Sequence, residues 1–404
     1  MFLISGAGIS GLLISKLLIK DGICKPEQIL VVEKTNSCGG LYKPWICPNL
    51  GELDKGMHIY YETLIEKVDS IFYNSLPKDE WIFLENNYKD IAGAYFNGRL
   101  QCNSPYPDLR YFTRELKDEL ITDFLDNLDI LKRNNKDHLI NKLFSGSSAQ
   151  EYWINRFGHK VYEKIFNPIC KKLYGFSADN LSVNAAYYVK LDRIVLFCSD
   201  LIKEIYKSSF LRKVLAYPDQ LTMPAYRTNN QRGLYPKSGM LKVVNALYED
   251  LKNLGVNFMM NSSVKEICEN GKQFEVKIQS NINNNSLTVD YIFWSGSRSS
   301  LEEVMHLKNN FIPDKGLSNY YFFRINKQDL IMPDLYYFYC LDPKYSAFRI
   351  TNFSQYSKNF DSKGRTLICL EEHFSDKQLL KYKNSLSISN FSQKLLEMGN
   401  LYRI

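Results

Sequence analysis

Three glycines near the N-terminus constrain the fold of this chain more than any other feature. Gly6, Gly8 and Gly11 lie in the segment MFLISGAGISGL, between two apolar runs. The run at 2–5 is short, which predicts a buried strand, and the run after the glycines repeats leucine and isoleucine at helical spacing. The segment ILVVEK at 29–34 predicts a second buried strand, parallel to the first. The pattern therefore predicts a strand, a glycine turn, a helix and a strand, in that order.

Each glycine of this turn has its own part in a nucleotide-binding unit. Gly6 permits the tight turn, Gly8 lets the backbone approach a pyrophosphate, and Gly11 lets the helix pack closely on the strand. The helix N-terminus offers N–H groups and a partial positive charge to the phosphates. Glu33 ends the second strand, where its carboxylate can accept hydrogen bonds from both ribose hydroxyls of an adenosine and disfavours a 2′-phosphate. We therefore expect a site for FAD or NAD.

The residues after Glu33 favour FAD. The segment KTNSCGGLY brings a second glycine pair, Gly39 and Gly40, shortly after the acid. The stretch from GAGISGL to CGGLY resembles the N-terminal signature of the superfamily of FAD-dependent amine oxidases, protoporphyrinogen oxidases and UDP-galactopyranose mutases. This resemblance implies that the second pair lets a loop pass close to the flavin side of FAD. Leu41 stands where the family usually has an arginine.

Three later segments extend the resemblance. The segment 233–267 is similar to the family's helix and strand in which the backbone of Val264 would contact the adenine. The segment 151–186 is similar to part of the porphyrinogen oxidase branch, and 291–301 resembles the strand that closes the nucleotide domain. Taken together, the residues that the resemblance assigns to cofactor binding are Gly6, Gly8, Ile9, Ser10, Gly11, Glu33, Lys34, Gly39, Gly40, Leu41 and Val264.

The fold class expected is α/β, with a Rossmann-like FAD-binding domain interleaved with an α+β substrate domain. Alternating strands and helices predict the FAD-binding domain in 1–62 and 233–300. Amphipathic helical segments and, beyond residue 315, short aromatic-rich strands predict the substrate domain in 63–232 and 301–404, with an antiparallel sheet and a helical insertion. The asparagine-rich segment at 281–286 is expected to be a loop.

Two residues are candidates for catalysis. The resemblance places His58, in LDKGMHIYYE, with the Gly-x-His segment beside the flavin in the mutase branch. There it could hydrogen-bond the flavin or shuttle a proton near neutral pH, and a structural histidine at a strand end is the alternative. Arg349, in SAFRITNFS, is similar in setting to an arginine of the family's substrate sheet, where a guanidinium could clamp a phosphate or carboxylate.

Composition limits the partners and the cellular location. The net charge of +7 is spread thinly over 404 residues without a basic block, so we expect no nucleic-acid partner and a small-molecule substrate, with a mild preference for anions. Nine cysteines without a Cys-x-x-Cys pair indicate reduced thiols in a cytoplasmic protein, and the scattered histidines suggest no metal site. No stretch reaches the roughly 18 apolar residues of a transmembrane helix. The oligomeric state stays open.

Three functions are therefore compatible with the sequence. The first is an FAD-dependent oxidoreductase of the amine oxidase or protoporphyrinogen oxidase type, with hydride transfer from a small-molecule substrate to flavin N5. The second is a UDP-galactopyranose mutase-like flavoenzyme acting on a nucleotide sugar in surface polysaccharide biosynthesis. The third is a truncated or inactive fragment, because the family's late glycine segment that closes the FAD site is not found after Gly296.

Overall fold

The computed structural model describes residues 1–84, 92–133, 146–188, 190–223, 231–280, 284–307, 316–330, 335–355 and 364–374. The chain divides into two compact units. The first comprises Met1–Leu84 and Gln231–Pro313, and the second comprises Glu85–Asn230 and Asp314–Ile404. The functions expected for two interleaved domains, FAD binding by 1–62 with 233–300 and substrate binding by 63–232 with 301–404, stay predictions.

The described strands are, in chain order, β1 (Phe2–Ser5), β2 (Ile29–Val32), β3 (Trp45–Cys47), β4 (Gly51–Leu53), β5 (Tyr60–Tyr61), β6 (Trp81–Leu84), β7 (Ala92–Phe96), β8 (Arg99–Gln101), β9 (Gly233–Pro236), β10 (Asn257–Met259), β11 (Ser262–Asn270), β12 (Gln273–Ser280), β13 (Asn284–Val289), β14 (Tyr291–Trp294), β15 (Leu317–Asn326), β16 (Tyr337–Cys340), β17 (Ala347–Asn352) and β18 (Arg365–Phe374). The described α-helices are α1 (Ile9–Lys20), α2 (Glu66–Tyr73), α3 (Arg114–Arg133), α4 (Ala149–Phe157), α5 (His159–Val161), α6 (Asn167–Tyr174), α7 (Ala185–Tyr188), α8 (Ser199–Ile205), α9 (Leu211–Val214), α10 (Leu241–Asn253) and α11 (Arg298–Val304).

A parallel four-stranded sheet forms the centre of the first unit. Its strand order is β10-β2-β1-β14, and β1 pairs with β2 from Phe2 opposite Ile29 to Ser5 opposite Val32. The strands are nearly continuously apolar, as expected for a parallel sheet covered on both faces. Helices α2 and α10 pack against α1. The strand, helix and strand predicted at the N-terminus are therefore present, and the predicted α/β class is confirmed.

A second, antiparallel sheet of the same unit packs against this centre. It has the strand order β11-β12-β13, and Val276 and Ile278 of β12 share a buried cluster with Leu3 of β1. The loop expected at 281–286 is wrong for 284–286, because residues 284–289 form β13 and pair with β12. The apolar residues Leu287 and Val289 attach this strand to the cluster. Residues 281–283 lie outside the described part of the chain.

The second unit is built on a six-stranded sheet with the order β15-β18-β17-β16-β7-β8. Neighbouring strands are antiparallel except β16 and β7, which run parallel. Its core includes Phe338, Ile350 and Ile368, all buried. The α-helices described in this unit lie between β8 and β9 in the sequence. The expected antiparallel sheet is present except for the parallel pair of β16 and β7, and the described helices agree with the expected helical insertion.

Candidate functional site

The first glycine turn has three glycines in three different environments. Gly6 has φ of +101°, and a Cβ at this position would overlap the hydroxyl of Ser295. A Cβ on Gly11 would overlap the carbonyl oxygen of Gly6, so the helix can approach the strand this closely only without a side chain. A Cβ on Gly8 would have its nearest neighbour, the Cα of Gly40, at an ordinary 3.7 Å. Gly6 and Gly11 are thus needed for the fold, whereas Gly8 has room beside it.

The N-terminus of α1 begins at this turn with Gly8 as its N-cap. No side chain caps the helix, and its first turn contains no acidic residue. The hydrogen bond from Leu12 N to Gly8 O, 3.1 Å, is the start of the helical pattern. The N–H groups of the first turn, at Ile9 and Ser10, precede it and carry the positive end of the helix dipole. This arrangement suits an anionic group such as a phosphate.

The second glycine pair lies directly against the first turn. Gly39 N donates to the carbonyl of Ala7 over 3.0 Å, and Gly39 forms a parallel bridge with Gly8. Gly39 has φ of +137°, a conformation that side chains rarely adopt. A Cβ on Gly40 would lie only 3.2 Å from the Cα of Gly8. The structure therefore brings the two predicted glycine segments together, while the side chain of Leu41 is 84% exposed.

Glu33 is buried, at 7% exposure, and its carboxylate joins the two segments. One oxygen, Oε2, accepts a hydrogen bond from Ala7 N at 2.9 Å. The other, Oε1, accepts from Thr35 N at 2.9 Å and from Thr35 Oγ1 at 2.6 Å. An ionised carboxylate has about four acceptor positions, and these bonds use three. Glu33 is thus held in a fixed orientation with acceptor capacity remaining, and the neighbouring Lys34 is exposed.

Sequence reasoning missed two contacts around this acid, one to Glu33 itself and one to its partner Thr35. Thr35 donates to Glu33, and Lys43 Nζ donates to the hydroxyl of Thr35 at 2.6 Å. A threonine two residues after an acid is a recognisable signal, because Ser and Thr hydroxyls commonly bond to nearby groups in turns. The Lys43 contact spans eight residues across the glycine loop and has no comparable signal in the sequence.

The start of β11 runs alongside the same segment. Asn261 N donates to the carbonyl of Thr35, and Ser262 N donates to the carbonyl of Glu33, both at 2.9 Å. Val264 is two residues further along β11 and is buried, and the strand has an irregularity in its pairing between Val264 and Glu266. Val264, the predicted adenine contact, therefore lies on a strand that is hydrogen-bonded to the segment of Glu33, the predicted ribose contact.

The hydrogen-bonding groups of this site match those that a dinucleotide needs. A diphosphate requires hydrogen-bond donors and room to approach, which the uncapped helix N-terminus and the space beside Gly8 supply. A ribose requires an acceptor, which the fixed acid at the end of β2 supplies. Of the predicted cofactor residues, those of both glycine segments, Glu33 and the start of β11 are adjacent. The residues present therefore fit the cofactor.

His58 lies beside the second glycine segment. Its ring centroid is 5.2 Å from that of Tyr42, with the planes tilted by 56°. Burial chiefly raises the pKa of Tyr42, and the charge of Asp54 raises it further. The role of His58 toward a flavin stays a prediction, and its ring is next to the loop that was predicted to approach the flavin.

Asp54 is a buried acid that the sequence reasoning did not single out. Its Oδ2 accepts hydrogen bonds from Tyr235 Oη at 2.6 Å and from Met240 N at 3.1 Å. Burial raises the pKa of this carboxyl, and the hydrogen bonds oppose that effect. Met240 is the N-cap of α10. Asp54 therefore ties the segment that carries His58 to β9 and to the start of α10.

Arg349, in the second unit, is held by Glu371. Its Nε and Nη2 donate to the two carboxylate oxygens, both at 2.7 Å, from β17 to the adjacent β18. The side chain of Glu371 is 1% exposed and that of Arg349 is 15% exposed. The nearby charges of Glu371 raise the pKa of Arg349 well above its ordinary value against the opposing effect of burial. A substrate anion at Arg349 would share the guanidinium with Glu371, and the predicted clamp stays a prediction.

The described residues contain neither a membrane-spanning helix nor a metal-binding cluster. No helix within the described ranges has both the length and the apolar character needed to cross a bilayer. In the same ranges no group of three or more His, Cys, Asp or Glu side chains is arranged to hold a metal ion. Residues 375–404 are outside the part of the chain that the structure describes.

Part of the first unit matches a known domain family. Residues 4–70 match the NAD(P)-binding Rossmann-like domain family. This span contains both glycine segments and Glu33. The first unit thus contains a Rossmann-like domain.

Similar solved structures extend over nearly the whole chain. Reduced UDP-galactopyranose mutase is 14% identical, with a TM-score of 0.67, covering 93% of this chain and 73% of the mutase. A putative protoporphyrinogen oxidase from Exiguobacterium sp. 255-15 is 14% identical, with a TM-score of 0.63 and coverage of 99% and 82%. Wild-type putrescine oxidase bound to putrescine is 12% identical, with a TM-score of 0.58 and coverage of 99% and 81%. No curated protein sequence matches the chain. The resemblance predicted from the sequence is therefore confirmed at the level of the fold.

Proposed function

We propose that this protein is an FAD-dependent oxidoreductase that takes a hydride from a small-molecule substrate. The observation that carries the proposal is the bridge between Gly8 and Gly39 at the uncapped N-terminus of α1. This bridge holds the first glycine turn and the second glycine loop side by side, and Glu33 accepts a hydrogen bond from the first turn. The likeness to flavoenzyme folds supports the same conclusion.

The chain's own residues would hold the cofactor in three places. The N–H groups at Ile9 and Ser10 would bind the diphosphate, Glu33 would accept from a ribose hydroxyl at its remaining acceptor position, and the backbone at Val264 would contact the adenine. The loop at Gly39 and Gly40 would lie near the flavin side. When bound, FAD would supply the hydride acceptor, so the protein's task is to orient the substrate and to exclude water.

Few side chains are then needed for the reaction itself. His58 would hydrogen-bond the cofactor or carry a proton, since its ring is packed beside Tyr42 of the second glycine segment. Arg349 would attract an anionic part of the substrate while paired with Glu371. We also propose a cytoplasmic location, where the free thiols of the chain would stay reduced.

A mutase acting on a nucleotide sugar is the second candidate. It is favoured by the TM-score of 0.67 with UDP-galactopyranose mutase, which exceeds the value for the two oxidases compared above. Such a reaction leaves the substrate's oxidation state unchanged and requires the flavin in its reduced form. The two candidates therefore differ in one measurable respect: the substrate of the oxidoreductase reduces the flavin, and the substrate of the mutase does not.

An anaerobic experiment separates the two functions. The FAD-loaded protein is mixed with amines, including putrescine, or with a porphyrinogen, and the visible absorbance of the flavin is followed. An oxidoreductase bleaches the flavin with one of these substrates. The mutase would instead be established by two results together. Neither the amines nor the porphyrinogen bleaches the flavin, and the dithionite-reduced protein converts UDP-galactopyranose. We expect His58→Gln to slow the bleaching by substrate, whereas the matched control His306→Gln, which changes an exposed histidine of the same unit, should leave it unchanged.

A further inference from the structure

Lys43 places a positive charge next to the predicted ribose contact. Its Nζ donates to Thr35 Oγ1 at 2.6 Å, and that hydroxyl donates to Glu33 Oε1, also at 2.6 Å. The ammonium is thus one hydroxyl group away from the carboxylate. An ammonium carries three donors, and the bond to Thr35 uses one of them.

The stem of Lys43 follows the second glycine segment. A Cβ on Gly39 would lie 2.6 Å from Lys43 Cγ, so the methylene chain packs directly over the glycine. Gly39 is itself bridged to Gly8 of the phosphate-binding turn. Lys43 N donates to Gly40 O at 3.3 Å, which fixes the base of the side chain. The side chain therefore runs from the two glycine segments toward the acid.

The charges of Lys43 and Glu33 act in the same small region. Cys38, in the second glycine segment, is buried, and the pKa of its thiol is raised to about 11, first by burial and then by the charge of Glu33, whereas the charge of Lys43 lowers it. The residue directly after the glycine pair, Leu41, is exposed and uncharged. A diphosphate brings negative charge that the partial charge of a helix N-terminus offsets only in part.

We propose that Lys43 is a cofactor-binding residue whose ammonium donates to the diphosphate of the dinucleotide while Thr35 holds it beside Glu33. The inference rests on the proposed function, because it assigns a further residue to the same site. It follows from two observations on Lys43: its ammonium is one hydroxyl group away from Glu33, and its methylene chain packs over Gly39, which is bridged to Gly8.

The test compares ligands with and without phosphate. FAD, ADP and adenosine are titrated against the wild-type protein, Lys43→Met and Lys43→Arg, with adenosine measured by competition against FAD. Lys272→Met is the matched control, because Lys272 is an exposed lysine in the turn between β11 and β12 of the same unit. We expect Lys43→Met to bind FAD and ADP about tenfold or more weakly, adenosine within about twofold, and Lys43→Arg to keep most of the affinity.

The titrations distinguish a failure of the proposed function from a failure of the Lys43 assignment. A wild-type protein that binds neither FAD nor ADP contradicts the proposed function itself. A wild-type protein that binds both, together with Lys43→Met that binds ADP equally well, overturns the Lys43 assignment alone. An equal loss for ADP and adenosine also overturns it, since that pattern indicates disorder of the ribose site. Should Lys43→Met fail to fold, as judged by its circular dichroism, Lys43→Gln takes its place with the same expected pattern.

Discussion

At the scale of single residues, the two glycines that flank the start of α1 should respond differently to substitution. Gly11→Ala forces a methyl group into the carbonyl oxygen of Gly6, so we expect the free energy of unfolding to fall by about 2 kcal/mol or more. Gly8→Ala has its nearest backbone neighbour at 3.7 Å and a φ of −77°, so we expect a change within about 0.5 kcal/mol. Urea unfolding of the cofactor-free variants measures both.

The same pair separates folding from binding. A methyl group on Gly8 occupies the space through which a diphosphate would approach α1, and we expect Gly8→Ala to lose FAD binding while it stays folded. If Gly8→Ala were as destabilised as Gly11→Ala, the space assigned to the cofactor beside Gly8 would not exist.

At the scale of elements, a largely buried ion pair joins β17 to β18. Glu371→Gln removes the charge opposite the Arg349 guanidinium, which is only 15% exposed. We expect the free energy of unfolding to fall by about 3 kcal/mol, and the double variant with Arg349→Met to recover much of this loss. Chemical denaturation of the three variants provides the double-mutant cycle. A single variant as stable as the wild type would contradict this account of Arg349.

A histidine on β18 should add a pH dependence to stability. Burial, and then the charge of Arg349, lowers the pKa of His373 from 6.5 to about 4, and its ring lies 4.0 Å from that of Phe348. Between these pH values the unfolded chain binds the proton and the folded chain does not. The free energy of unfolding should therefore fall as the pH decreases from about 6.5 to about 4, by at most about 1.4 kcal/mol per pH unit.

The variant His373→Phe isolates this effect. It keeps an aromatic ring against Phe348 and has no proton to bind, so its unfolding free energy should depend less on pH across that interval than the wild type's. Urea unfolding at several pH values provides the comparison. Parallel pH profiles for the two proteins would show that His373 titrates alike in the folded and unfolded states.

The sequence predicted the elements of the first unit unevenly. The order β1, α1 and β2 could be predicted because apolar periodicity and glycine spacing are local signals. The strand β13 could not, because asparagine is rare in strands and the pairing with β12 depends on Leu287 and Val289 reaching a distant cluster. Tertiary packing therefore makes this segment a strand, although its asparagines disfavour strand conformation.

At the scale of the whole molecule, the candidate site could be predicted in outline and not in its contacts. Both glycine segments and Glu33 were indicated by motif spacing, and the structure places them together. The contacts of Asp54 with Tyr235 join residues far apart in the chain, and a single sequence gives no signal for such a pair. The partner of Arg349 was missed for the same reason.

The most direct test of the central claim is an FAD titration. The wild-type protein is incubated with FAD, passed through a desalting column, and its visible absorbance spectrum is recorded beside that of Gly8→Ala. The account predicts flavin bands that co-elute with the wild-type protein at about one FAD per chain and that are absent from the folded Gly8→Ala variant. A wild-type protein without flavin bands, or a Gly8→Ala variant that retains them, would contradict it.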